Sequence, residues 1–171
     1  MLATACNRTP RALSPADLAA AERAAIVQLF LSYERPQQLV FWDGAPRDSP
    51  IFGEIALGDS LNPRGVSPES LLLPIPVSVV HREELERLFH ENADAWEAWY
   101  RLHPASGGVV EVTAPRLAPP SSARITTSSS ASVVIGRLCG EHCRSAWNVT
   151  VEKKHGEWIV KGVRPVALPK L

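Results

Sequence analysis

Cys139-Gly140-Glu141-His142-Cys143 is the constellation in this chain whose residue types and spacing point to specific chemistry. In a straight strand the two cysteines would stand ~13 Å apart, too far to bond. At the ends of a three-residue hairpin loop they would face each other, because antiparallel neighbours sit ~4.5–5.5 Å apart at Cα. Gly140 is suited to the positive φ that such a loop needs. A disulfide there would contribute about 2 kcal/mol by chain-entropy reckoning. The expectation is a structural disulfide, with free thiols second. A redox or metal site using His142 comes third, since the three ligands have no partner cluster elsewhere in the sequence.

Other candidates yield to plainer readings. His90-Glu91-Asn92-Ala93-Asp94 approaches a zinc helix, but an aspartate stands where the second histidine belongs, so a solvated helix end explains it better. Glu83, Glu84 and Glu86 offer a carboxylate pair. They also suit the first turn of a helix, where the dipole favours acids and Glu83 can pair with Arg87. Trp96, Trp99 and Tyr100 are pocket candidates, although aromatics at helical spacing more commonly build a core. Phosphate loops, dinucleotide fingerprints, nucleophile elbows and zinc-protease helices have no counterpart in the sequence. No catalytic residue, metal or cofactor is therefore expected. Asn148-Val149-Thr150 matches a glycosylation sequon and is discounted because it reads as strand.

At the N-terminus, Leu2-Ala3-Thr4-Ala5-Cys6 reads like the end of a bacterial lipoprotein signal. Cys6 would then carry the lipid, and Asn7-Arg8-Thr9-Pro10 would form a polar tether. Five residues precede Cys6, fewer than the 7–15-residue apolar stretch of a signal. The alternative is a disordered cytoplasmic N-terminus with an incidental cysteine.

The elements that must position these groups are legible from pattern. Ser14-Pro15-Ala16-Asp17 has the form of a helix start, and Leu18, Ala25, Ile26, Leu29, Phe30 and Tyr33 share one face of that helix. Pro36 should end it. Gln38 to Trp42 reads as a strand, and the proline- and glycine-rich stretch 43–76 as a long loop. Val77 to Val80 is a short extended piece. A helix from His81 to Leu102, whole or broken near Asn92, turns Leu85, Leu88, Phe89, Trp96 and Trp99 inward. Pro104 and Gly107-Gly108 close the helical region. Strands follow at 109–113 and within 124–138. Trp147, Val149 and Val151 then alternate toward a turn at Lys154-His155-Gly156 and share a face with Trp158 and Val160.

Balanced charge, 18 basic against 18 acidic residues in 171, lacks the basic footprint of a duplex nucleic-acid binder. No apolar run approaches the ~20 residues of a spanning helix. A hydrophobic content of 45% supports a folded domain. Residues 1–13 read as a flexible tether and 14–171 as one α+β domain.

Trp96-Glu97-Ala98-Trp99-Tyr100-x-x-x-Pro104, Ser106-Gly107-Gly108, Leu138-Cys139-Gly140-Glu141 and Glu152-Lys153-Lys154-x-Gly156-x-Trp158 together resemble a group of small uncharacterised bacterial proteins. The resemblance spans roughly residues 77–163 and implies fold and bacterial origin, not activity. The chain departs from the group in the residues after Cys139-Gly140, including Cys143, and in Ile135, which stands where the group often carries a second cysteine.

The expected architecture is α+β, with N-terminal and central helices covering one face of a C-terminal antiparallel sheet of about four strands. Its element order is similar to the cone of the nuclear-transport-factor-2-like superfamily, an analogy that fixes no function. The leading functional expectation is an envelope-associated accessory or binding domain, in the periplasm or anchored to the outer membrane through Cys6, with an unknown protein or small-molecule partner. Alternatives are a small-ligand-binding or hydrolytic enzyme with a pocket between helices and sheet, and a cytoplasmic immunity- or antitoxin-type protein.

Overall fold

Ser14 opens α1 (Pro15–Ile26) as the sequence predicts: its side-chain oxygen accepts the Asp17 N–H at 3.1 Å, with Pro15 in the first turn. The computed structural model describes residues 13–43, 67–117 and 129–168. Beyond Ile26 the helix continues in π form from Val27 to Glu34, a wider winding that the residue pattern does not announce. Arg35, at φ 44°, closes it with an N–H bond to the Phe30 carbonyl, one residue before Pro36. Cys6 and almost all of the proline-rich stretch before Ser67 lie outside the described residues.

The sheet corrects the expected architecture. Seven strands take part, in the order β2-β1-β3-β5-β6-β7 with β4 beside β5. β1 (Gln38–Asp43) runs parallel to both β2 (Val77–His81) and β3 (Ser106–Val112). The two-residue β4 (Arg116–Leu117) and β5 (Ser130–Gly140), β6 (Cys143–Lys154) and β7 (Glu157–Pro165) complete it antiparallel. The fold is thus α+β on a mixed sheet, not on about four antiparallel strands. The physical reason lies in Leu39-Val40-Phe41-Trp42, which is buried throughout. A strand without a polar face is the mark of a strand covered on both sides, as parallel strands with crossover helices are.

The helices accordingly divide between the faces instead of sharing one. Beneath α1 and its continuation lie Leu39, Phe41, Val110, Ile135, Val149 and Trp158. On the opposite face Val40, Trp42, Val80 and Val109 meet Leu85 and Trp99. These come from α2 (Arg82–Glu91) and α3 (Ala95–Leu102), the crossover between β2 and β3. Farther along that face, Ala146 packs with Val134, Val166 and Leu168.

The break between α2 and α3 falls where the sequence places it. Asn92 donates its amide to the Leu88 carbonyl at 2.8 Å, and the Asp94 carboxylate caps α3 by accepting the Glu97 N–H at 2.8 Å. Among the described residues, the i,i+4 pair on α2 is Arg82–Glu86.

The C-terminal hairpin matches its predicted register. Val151 pairs with Val160 and Lys153 with Trp158, while Trp147, Val149, Val151, Trp158 and Val160 all join the α1-side core. His155 at φ 51° and Gly156 at φ 90° make the two-residue turn, the positive pair that a type I′ hairpin requires. Lys153 also pairs with Asp17, 136 residues away, and this bond is the main reason the Asp17 carboxyl sits below its ordinary value.

Gly107 and Gly108 lie inside β3 and do not act as a terminator. At Gly108, φ is +108° and a Cβ would stand 2.2 Å from the Leu138 carbonyl oxygen. At Gly156 a Cβ would meet nothing within 4 Å. We therefore expect Gly156→Ala to cost about 1–2 kcal/mol, the backbone strain alone. Gly108→Ala should cost at least about 3 kcal/mol, since strain and a backbone clash combine. Urea midpoints of the two variants check the difference.

Candidate functional site

Cys139 and Cys143 are brought to disulfide distance, 5.0 Å apart at Cα. Their loop differs from the expected one. Glu141-His142 is a two-residue turn, Gly140 pairs with Cys143, and Cys139 is an extra residue bulged out of the β5–β6 ladder. Gly140 is not among the positive-φ residues, because the bulge takes up the change of direction that Gly140 was expected to provide. Glu141, His142 and Cys143 are exposed and Cys139 is half-buried.

This tip is fastened to α3. The Tyr100 hydroxyl donates to the Cys139 carbonyl at 2.9 Å, and burial raises the Tyr100 phenol above its ordinary value. Beside it, the bare Cα of Gly108 lets β3 approach Leu138 and Cys139 closely.

Tyr100 belongs to a ladder of rings. Trp96 meets Tyr100 at 6.1 Å, Trp99 edge-on at 6.4 Å and Phe89 edge-on at 5.3 Å. Trp99 is fully buried and Trp96 half-buried, whereas Phe89, expected inside, is 38% exposed and covers Trp96 from the solvent side. Phe89 lies in the last turn of α2 and packs on the Trp96 ring of α3, outside the buried cluster that Leu85 and Trp99 form with the sheet.

Of the three pocket candidates, Trp99 lines a cleft among the described residues. Val80, Glu84, Leu85, Leu88, Trp99 and His103 enclose about 130 Å³ between α2 and α3. Trp96 and Tyr100 pack against the neighbouring core instead. His103 was not singled out by its sequence context, yet its ring lies 4.3 Å from that of Trp99. Burial lowers the imidazole below its ordinary value, and the Glu84 carboxylate partly opposes this. Ser106 receives the Trp99 indole N–H at 3.2 Å and donates its own hydroxyl to the His103 backbone carbonyl at 2.9 Å. That proton is committed to the carbonyl and not to the imidazole, so the pair is not arranged as a nucleophile and its base.

A second cleft, of about 110 Å³, opens on the α1 side between Phe30, Leu39, Ser106, Val110 and Arg137. Burial lowers the Arg137 guanidinium below its ordinary value, although such a group stays charged. The buried carboxylates Glu22 and Glu111 line neither cleft. Among the described residues, no three His, Cys, Asp or Glu side chains gather as metal ligands, and no helix is long and apolar enough to cross a membrane. The chain matches no family model, no curated protein and no solved structure.

Trp99→Ala should cost about 3–5 kcal/mol, and Phe89→Ala about 1–2 kcal/mol because much of that ring is already wet. Thermal melts of both variants check this. The lowered pKa of His103 means the unfolded chain binds its proton more readily. The stability that His103 contributes is therefore complete well above 6.5, its ordinary value, and is lost as pH falls below it. Ring-proton NMR should find His103 titrating below that value, and Glu84→Gln should lower it further.

Proposed function

We propose that the chain is an accessory domain of the bacterial cell envelope that acts by binding and not by catalysis. The observation that carries this reading is the cysteine pair at disulfide distance on an exposed hairpin tip. Reducing cytosol keeps such thiols unbonded, whereas the periplasm favours their oxidation. The lipobox-like Leu2-Ala3-Thr4-Ala5-Cys6 supports the same compartment, with Cys6 as an anchor to the outer membrane. The resemblance of residues 77–163 to small bacterial proteins supports the origin.

Three features favour binding over turnover. The cleft beside His103, at about 130 Å³, is well under the ~300–1,000 Å³ of typical small-molecule sites. Ser106 also commits its hydroxyl to the His103 backbone carbonyl. Phe89 and Leu102, 38% and 61% exposed, give α2 and α3 an apolar margin of the kind used in contacts between proteins.

Thiols trapped by alkylation at lysis of the native cell, followed by non-reducing mass spectrometry, test the compartment. The expected result is a peptide pair linked through Cys139 and Cys143 with neither cysteine alkylated. Two alkylated cysteines would overturn the envelope reading in favour of a cytoplasmic interaction protein.

A further inference from the structure

We propose that Cys139–Cys143 is a thiol–disulfide exchange site for an external dithiol, and that its redox state is passed to α3 through Tyr100. This rests on the disulfide in the reading above and adds reactivity and a structural consequence to it.

Access comes first. Cys143 is exposed on a two-residue turn and Cys139 is half-buried. An attacking thiolate therefore reaches the Cys143 sulfur, and Cys139 is the leaving group. Exposed disulfides are the exchangeable class, in contrast to those enclosed in a core. The reduced state also has a place ready for it, since the Cys143 carbonyl oxygen lies 3.1 Å from Cys139 Sγ and can accept the S–H that reduction creates.

The chemistry balances with a dithiol as the sole co-reactant. One donor thiolate bonds to Cys143 Sγ and the Sγ–Sγ bond breaks, its electron pair and a proton going to Cys139. The second donor thiolate attacks the donor sulfur of the mixed disulfide and releases Cys143, which takes the second proton. Two electrons and two protons reach the protein, and the donor leaves as a disulfide.

Transmission follows from the bulge. Cys139 bulges out of the β5–β6 ladder between the paired Leu138 and Gly140, so the cross-link adds a restraint on its peptide unit that the ladder itself does not supply. Its carbonyl is the acceptor that holds Tyr100 at 2.9 Å. Tyr100 in turn packs on Trp96, whose ring meets Trp99 and Phe89. Reduction frees the carbonyl to turn, and the hydrogen bond that fastens α3 to the tip is the first to break.

The test uses the full chain, oxidised with glutathione disulfide and then treated with dithiothreitol without denaturant. Alkylation mass spectrometry should show both thiols released. Amide exchange across residues 95–102 should accelerate about fivefold, the equivalent of one hydrogen bond, while residues 149–160 stay protected. Tyr100→Phe should show the faster exchange already when oxidised and no further response. If that variant fails to fold, a Cys139→Ser, Cys143→Ser double variant should reproduce the reduced pattern and ignore the dithiol. A bond that does not form, one that resists the dithiol, or one that opens with α3 unchanged would overturn the proposal. Free thiols in the native-cell sample combined with exchange in the purified chain would remove the envelope reading alone.

Discussion

Burial of β1 on both faces is the constraint from which the architecture follows. Leu39 and Phe41 belong to the core under α1, and Val40 and Trp42 to the core under α2 and α3. Neither face of such a strand tolerates water, so the chain must supply a helical layer to each. The crossover α2–α3 between β2 and β3 meets the second demand, and parallel pairing on both flanks of β1 is its geometric result. The antiparallel half of the sheet has looser needs. One of its faces rests on α1, and part of the other is closed by Val166 and Leu168 near the end of the chain.

Where the two halves of the sheet join, the backbones approach closely at Gly108. β3 pairs antiparallel with β5, and Gly108 sits against the Leu138 carbonyl in a space that admits no side chain. Directly above that join, Trp99 reaches Ser106 at the start of β3, and Tyr100 reaches Cys139 at the end of β5. Two consecutive residues of α3 thus bind two neighbouring strands. On the other face, Asp17 of α1 meets Lys153 of β6. Each helical layer is therefore pinned to the sheet by polar contacts as well as by apolar area, and such contacts orient a layer more sharply than apolar burial does.

How much of this could be read beforehand depends on the range of the interaction responsible. Local signals were legible: the Ser14 cap, the stop before Pro36, the break at Asn92, and the His155-Gly156 turn with its alternating flanks. Each is set by residues within a turn or two of one another. Strand direction was not, because β1 meets β2 and β3 only across long sequence separations. The clue was nevertheless present, since Leu39 to Trp42 is continuously apolar where a half-exposed strand would alternate. At the site, the spacing of Cys139 and Cys143 indicated their approach, but the bulge depends on how β5 settles against β3 and had no signature. Phe89 failed for a related reason. Helical periodicity assigns a face but not how fully each position on that face is covered. His103 entered the cleft by tertiary placement alone.

The parallel pairing of β1 also sets an order of events during synthesis. Leu39 to Trp42 emerges from the ribosome long before Val77–His81 and Ser106–Val112, the two strands that flank it. Until those arrive, an apolar strand with two open edges is present in the growing chain, the kind of segment that aggregates or recruits chaperones. The β5–β6–β7 meander has the opposite character, because its pairings are local and its turns short, so it closes quickly once made. The two halves of the sheet thus differ in kind: the β5–β6–β7 half closes through neighbours in sequence, whereas β1 has both edges covered only once the chain has reached Val112.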